Sequence, residues 1–580
     1  MDCLLSSRPS WAALVSLPAL ASILLLACTT QTSNREAESA IPPTRRRPNV
    51  LIVVADDMGY ADIGALGGEI KTPNLDRLAA AGTLFTRFYT APTCSPTRAM
   101  LLTGVDNHLA GLGNMEETLD PSQIGQPGYE GYLNRDVASV AEIFGEAGYQ
   151  TYMTGKWHLG TEHDQSPHAR GFQRTFSLLG GGASHFADRV GQDVYRRVAY
   201  YRADGELIDR LPEGYYSSNH FAETMIRFIE EGDPDRPFLG YLAFTAPHWP
   251  LQAPPESLQG QRGNYSAGYD LIRARRFQAL KEAGLVPEEA AQPRGTAPPW
   301  ESLTPEARAR SERLMETYAA MVENMDANIG RVLGALEDSG QLDNTVIVFM
   351  SDNGADGLEF EAVAPAFAEW TRSFDNSLDN IGQPGSFVSY GRGWAHTGEA
   401  PHRGFKGLMT EGGTRSPMLM VLPKSLAERR RARAARYSHA VTVRDVLPTL
   451  LDLAGVSTRG RGEPKNERPP LSGKSLRAAL SEPQTAVHSG EALVAELWDC
   501  QTVILDDWKL VRHSAPRGDG TWKLYDLARD LGETTDLSAQ RPALVARLQA
   551  EYRAYARANR VVKPSAPFGL VKPANPTPKR

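Results

Sequence analysis

Four oxygen-bearing side chains in this sequence come as two pairs, Asp56-Asp57 and Asp352-Asn353, and each pair closes a short apolar run. Taken singly, Asp-Asp and Asp-Asn-Gly are ordinary turn chemistry. Two such pairs after matched apolar runs point to a metal. Hard oxygen ligands with no accompanying Cys or His cluster suit Ca²⁺ better than zinc, with Mg²⁺ the second choice. A set of cations accompanies them. Arg98 lies four residues after Cys94, Lys156 and His158 are two apart, His248 follows an apolar run, and Lys406 sits in "HRGFKGLMTEGGTR". In an extended segment Lys156 and His158 would share a face. Alone, each cation is more often a solvated or packing residue. Together with a divalent ion they describe a pocket for a tetrahedral dianion. Pro96 can start a helix at "SPTRAMLLTG", whose N-terminus would turn free N–H groups towards an anion beside Cys94.

These residues can meet only if particular strands are neighbours. "NVLIVVA" (49–55) and "TVIVFM" (345–350) read as buried parallel strands, and "PFLGYLAFTAPH" (237–248) and "GYQTYMTGKWHLG" (148–160) supply two more. All four deliver polar residues at their carboxyl ends, where open α/β sheets gather ligands. Helical patterns lie between. Thr304-Pro305 is an N-cap followed by proline, after which Met315, Val322, Met325, Ile329 and Leu336 recur at helical spacing, as core packing does. "VRDVLPTLLDLAG" (443–455) is a second helix, closed by Gly455. A Gly/Pro/charge-rich stretch at 457–471 marks a subdomain boundary. Beyond it "TVILDDWKLVRH" and "TWKLYDL" predict a small antiparallel sheet, followed by a helix near 541–557.

The chain has 580 residues and a net charge of -7, with no basic footprint for nucleic acid. From Trp11 to Ala27 it carries no charge, and it then reads "LLAC" to Cys28. The run has the layout of a secretory signal, and "LLAC" resembles a lipobox. The expected organisation is a signal peptide (1–27), a polar tether after an acylated Cys28 (28–47), a catalytic domain (48–456) and a smaller C-terminal subdomain (457–580). Thr29 after the cysteine, rather than Asp, favours the outer membrane, so the protein is expected to be a periplasmic or cell-surface lipoprotein. Of the four cysteines, export removes Cys3 and occupies Cys28. Cys94 and Cys500 remain. They either form one disulfide, or one of them is chemically special.

Cys94-Ser95-Pro96-Thr97-Arg98 matches the sulfatase signature C-x-P-x-R. "GKWHLG", "TAPHWPLQAP", "SDNGADG", "RGFKGLMTEGGTRSP" and "LYDLARDLGETTDL" follow in the order seen in type I sulfatases. With "HLAGLGNM" and "GYEGYLNRDVASVAEIF", the chain resembles bacterial arylsulfatases over residues 48–560. "ELWDCQTVILDDWKL" departs from the pattern, because it lacks the arginine-rich stretch expected before "DWKL".

The resemblance implies an alkaline phosphatase-like fold: a large, mainly parallel sheet flanked by helices, with a smaller C-terminal antiparallel sheet and helix. It implies hydrolysis of a small-molecule sulfate ester. Cys94 would be oxidised to formylglycine by a formylglycine-generating or equivalent maturation enzyme acting on the incompletely folded chain. Asp56, Asp57, Asp352 and Asn353 would hold Ca²⁺ beside the residue made from Cys94. Lys156 and Lys406 would bind sulfate oxygens, and His248, with Lys406, would protonate the leaving oxygen. His158 would accept the proton that starts sulfate release, and Arg98 would orient the hydrate. A phosphonate monoester or phosphodiester hydrolase of the same superfamily is the nearest alternative. A non-catalytic anion-binding protein is another, should Cys94 stay a thiol.

Overall fold

The structure, a computed structural model, describes residues 47–192, 194–360, 365–427, 435–457 and 469–565. The expected signal segment, Cys28 and all of the tether but Arg47 lie outside the described residues.

The run at 49–55 forms strand β1 (Asn49–Ala55) of a mixed sheet. Its other members are β2 (Thr83–Tyr89), β3 (Gln150–Lys156), β4 (Arg174–Leu178), β5 (Tyr201–Ala203) and β6 (Glu206–Ile208). They continue with β7 (Phe238–Ala243), β8 (Thr345–Ser351), β9 (Arg415–Val421), β10 (Ala435–Tyr437) and β11 (Val441–Thr442). The order is β10-β2-β9-β8-β1-β7-β3-β4-β5-β6, with β11 beside β2. The four runs expected as strands are therefore consecutive in space, as β8-β1-β7-β3, and all are parallel. On one side β9 runs antiparallel to β8; on the other β4 continues parallel to β3, and the hairpin of β5 and β6 follows, β5 antiparallel to β4.

Alternation along β1 and β8 explains their apolar sequences. Leu51, Val53 and Ala55 of β1 face one core, with Ile347 and Phe349 of β8. Val50, Ile52 and Val54 face the other, with Val346, Val348 and Met350. Both faces are covered, so within β1 and β8 polar residues stand only at the strand ends. The long helix Pro305–Asp338 covers the first face, its Thr304 hydroxyl accepting from Ala307 N as an N-cap. Met315, Val322, Met325, Ile329 and Leu336 all lie in that core. The helices Cys94–Thr103 and Val446–Ala454 cover the second face, the latter closed by Gly455 at φ 62°.

The C-terminal part is a four-stranded antiparallel sheet, β12 (Ala492–Leu497), β13 (Cys500–Leu505), β14 (Trp508–Arg512) and β15 (Trp522–Asp526). The helix Pro542–Ala558 packs on it through Leu548. Trp498 and Asp499, both at φ 57°, make the two-residue turn from β12 to β13. Lys509 of β14, fully buried, ties the sheet to the rest of the fold through Glu411 at 2.8 Å and Glu533 at 3.1 Å.

Candidate active site

Because β1 and β8 are paired in register, with Ala55 opposite Ser351, the two acidic pairs leave the sheet side by side. Asp57 N donates to Asp352 Oδ1 at 3.3 Å, and Asn353 Nδ2 donates to Asp57 Oδ1 at 2.7 Å. Asp57 adopts φ 66°, a left-handed conformation that Asp tolerates better than most residues. Cys94 opens its helix and does so two residues earlier than Pro96 would suggest. Its Sγ lies 3.5 Å from Asp56 Oδ1 and 3.8 Å from Asp57 Oδ1. The helix N-terminus thus faces the carboxylates, where its dipole favours negative charge. Burial first, then the nearby Asp352, pushes the Cys94 thiol well above its ordinary range. Cys94 and Cys500 are both free, and Cys500 packs in a separate cluster with Trp498 and Met409.

The cations close around this centre. Lys156, at the end of β3, reaches Asp56 with contacts of 2.7 and 2.8 Å. Burial opposes its charge, but Asp56, with Cys94 and Asp352 adding to it, raises its pKa. Arg98 is fully buried, pairs with Asp352 Oδ2 at 2.7 Å and donates to the Lys156 carbonyl at 3.0 Å. Lys406 Nζ lies 2.7 Å from Asp57 Oδ2 and 3.2 Å from Asp356 Oδ2. His248 Nε2 sits 3.4 Å from Asp57 Oδ2, and its Nδ1 donates to the Trp249 carbonyl. Burial, then Lys406 and Lys156, holds His248 well below the usual imidazole range.

The expected common face for Lys156 and His158 is not what the chain adopts. The strand stops at Lys156, and His158 turns out of it at φ 58°. Its ring goes to Glu117, not to Asp56. Sequence reasoning also missed Asp356, which shares Lys406, and Trp249, whose Nε1 donates to Asp356 Oδ2 at 2.8 Å. Both lie within three residues of a residue already singled out, Asn353 or His248, and that proximity was the available signal.

The donor set fits a divalent cation. Among the described residues, ligand atoms of Asp56, Asp57, Cys94 and His248 lie within 4.8 Å of one another. Asn353 Oδ1 is a buried acceptor without a hydrogen-bond partner among the described residues. Burial pushes the Asp57 carboxyl up to about 8, against the opposing charge of Lys406. A crowd of buried carboxylates with a spare amide oxygen is relieved by an oxygen-loving ion.

One glycine holds this geometry. Gly155 precedes Lys156 at φ 108°, and a Cβ there would lie 1.8 Å from the Ala243 carbonyl of β7. Gly155→Ala is expected to cost about 2–4 kcal/mol in denaturant unfolding, from backbone strain plus overpacking. It should also lower activity by shifting Lys156. Unchanged stability and turnover would show that the strand relaxes freely.

Residues 48–456 match the sulfatase family model. An uncharacterized sulfatase of Schizosaccharomyces pombe is 40% identical over 559 residues, covering 93% of this chain and 99% of its own. The arylsulfatase of Klebsiella aerogenes is 40% identical over 440 residues, covering 75% of this chain and 92% of its own. The crystal structure of Ps i-CgsB superposes with a TM-score of 0.63 at 26% identity, covering 90% of this chain and 94% of that one. Signature, sheet and relatives agree: the chain belongs to the sulfatase family, with the alkaline phosphatase-like fold and the hydrolysis of sulfate esters that go with it.

Proposed function

We propose that the protein is an exported arylsulfatase, releasing inorganic sulfate from esters of phenols and other apolar alcohols. The proposed apparatus is a formylglycine made from Cys94 and a calcium ion held by Asp56, Asp57, Asp352 and Asn353. The observation that carries this reading is the meeting of the complete C-x-P-x-R cysteine with Asp56, Asp57, Lys156 and Lys406 in one buried cluster. Cys94 is only 2% exposed, so a maturation enzyme would have to reach it before folding is complete.

A calcium ion at this site would supply Lewis-acid polarisation of an oxygen and offset the carboxylate charge. The formylglycine hydrate would supply two hydroxyls on one carbon, one to attack sulfur and one to expel sulfate. The remaining work falls to the chain's own side chains. Lys156 and Lys406 give the sulfate oxygens two ammonium groups held in place by Asp56 and Asp57. Arg98, pinned by Asp352, orients residue 94 from within its own helix. His248 keeps its Nδ1 proton on the Trp249 carbonyl, so Nε2 is the atom that passes a proton to the leaving oxygen. The charge of a bound sulfate counters the lysines and favours its protonation. His158 serves as the base for sulfate release.

The leaving-group side supports an apolar alcohol. The Trp249 ring centroid is 4.7 Å from that of His248. Half-buried Trp249, Val190, Val194, Leu358 and Phe374 pack there on a buried core of phenylalanines and Trp370. A phenol finds stacking surface here, whereas a sugar would leave hydroxyls unpaired.

The test compares kcat/KM on a matched aryl sulfate, aryl phosphodiester, aryl phosphonate monoester and hexosamine sulfate. The aryl sulfate should lead. A leading phosphodiester or phosphonate would move the protein to the neighbouring chemistry, and a leading sugar sulfate would remove the aryl reading. Binding of sulfate with no turnover, in protein whose Cys94 peptide has the mass of a thiol, would make it an anion-binding protein.

Export and anchoring rest on residues 1–27 and the "LLAC" sequence before the polar tether. Cys28→Ala is expected to release the enzyme from the outer-membrane fraction, and unchanged fractionation would point to another anchor.

A further inference from the structure

The segment "HLAGLGNMEET" (108–118) belongs to no role assigned above, yet it runs from the C-terminal sheet to the active site. At one end His108 lies between Asp106 and Glu496 of β12, at 3.0 Å from each. In its middle the Asn114 Oδ1 atom accepts from Trp498 Nε1, Met115 N and the Thr118 hydroxyl. At the other end Glu116 pairs with Arg196, and Glu117 Oε1 stands 3.1 Å from His158 Nε2. Glu117 is thus carried on a short turn braced from three directions.

We infer that Glu117 is the positioning residue of His158: its carboxylate receives the Nε2 proton and leaves Nδ1 as the free base. The inference rests on the hydrolytic reading proposed above. A carboxylate can only accept, so a hydrogen bond at Nε2 places the proton on that atom. His158 Nδ1 is buried and has no hydrogen-bond partner among the described residues. Both side chains are 9% exposed, so water does not compete freely for either ring nitrogen. The ring is also wedged in place. A Cβ at Gly181 would lie 2.6 Å from His158 Cε1, and one at Gly182 would lie 3.1 Å from His248 Cε1. Two consecutive glycines therefore let the chain pass directly over the two histidines. The backbone turn at His158 is held by its N–H, which donates to Leu179 O at 3.2 Å.

Charge is consistent with this geometry. Burial works against ionised Glu117, but the His158 ring and Arg196 outweigh it and hold the carboxyl at about 2. Burial brings His158 down to about 4, with Lys156 and Arg98 adding to the effect and Glu117 opposing it. Near neutral pH the pair is a carboxylate and a neutral imidazole. The carboxylate fixes the tautomer and strengthens the far nitrogen as a base, the arrangement a proton acceptor needs. Glu117 does this through the imidazole alone, from its Nε2 side.

The direct test reads the tautomer. Protein carrying Cys94→Ala is labelled with ¹⁵N-histidine and examined by long-range ¹H–¹⁵N correlation, His158 being assigned by its loss in His158→Asn. This protein turns nothing over, so the result does not depend on whether the enzyme is a sulfatase. The Nε2–H tautomer is expected at pH 7. An Nδ1–H tautomer or a doubly protonated ring would overturn the proposal without any variant of Glu117. In the active protein, Glu117→Ala should lower kcat about 10- to 100-fold. KM and the first-turnover release of phenol should stay near wild type, because His248 serves that step. Glu117→Gln, which keeps an acceptor oxygen, should recover part of kcat. A loss confined to KM, or equal loss of the first turnover and kcat, would mean that Glu117 only supports the fold.

Discussion

Cys94→Ser is expected to release at most about one phenol per site from an activated aryl sulfate and then stop. The serine hydroxyl would occupy the helix start where Cys94 Sγ now lies 3.5 Å from Asp56 and 3.8 Å from Asp57. Lys156 and Lys406 would still receive the sulfate oxygens, and His248 would still serve the leaving oxygen. A single alcohol can attack sulfur, though more slowly than an aldehyde hydrate. It has no second hydroxyl on the same carbon, so it cannot expel sulfate by breaking the C–O bond. Water would have to attack sulfur in a site where the side chains of Asp56, Asp352 and Lys156 are fully buried. Mass spectrometry should find a stable sulfate ester at position 94, and steady-state turnover should fall by at least about 10³-fold. Cys94→Ala should release no phenol by this route. Sustained turnover by Cys94→Ser with no added mass would refute release by elimination. The substitution is nearly isosteric, so a shifted thermal transition is not expected to account for the loss.

The second large effect is expected at the acidic centre, and the structure changes which residue should be replaced. From sequence, losing Asp352 would hurt chemistry more than folding, since it lies beyond the strand. In the fold its Oδ2 holds Arg98, and both side chains are fully buried. Asp352→Ala would take from a buried guanidinium its close carboxylate and leave only Asp56 at 3.7 Å, and breaking a buried pair typically costs about 3–5 kcal/mol. Asp57→Asn is the cleaner test. Asparagine can still accept from Asn353 Nδ2, while Lys406 retains Asp356 at 3.2 Å. What is lost is the charge offered to a cation and the 2.7 Å ion pair with Lys406, with no buried charge left unpaired. kcat/KM should fall about 10²- to 10³-fold, bound calcium should drop with it, and the unfolding midpoint should change little. Chelation of the wild type should reproduce the loss, and added Ca²⁺ should restore it. Wild-type turnover by metal-free Asp57→Asn would rule out the metal assignment.

What the sequence determined by itself is whatever a short window of chain can encode. The apolar runs at 49–55 and 345–350 contain their own strand signal, and both are buried on two faces as their composition requires. Thr304-Pro305 encodes a helix start and Gly455 a helix end, and both stand where expected. The ordered motifs identified the family, because so many residues in order cannot match by chance. The tertiary structure decided which of the distant groups touch. Arg98 and Asp352 are 254 residues apart, and Lys406 and Asp57 are 349 apart. No local pattern pairs them; the β8-β1-β7-β3 order brings the acidic strand ends to one edge, where the helix carrying Arg98 and the loop carrying Lys406 pack. Lys156 and His158 show the same limit at short range. Two-residue spacing predicts a shared face only while the strand continues, and one left-handed residue sends the imidazole to Glu117. Glu117 itself had no periodicity, cap or strand end to mark it. It became visible only when the turn that carries it was placed against His158, because hydrogen bonds act over about 3 Å of space and not over sequence.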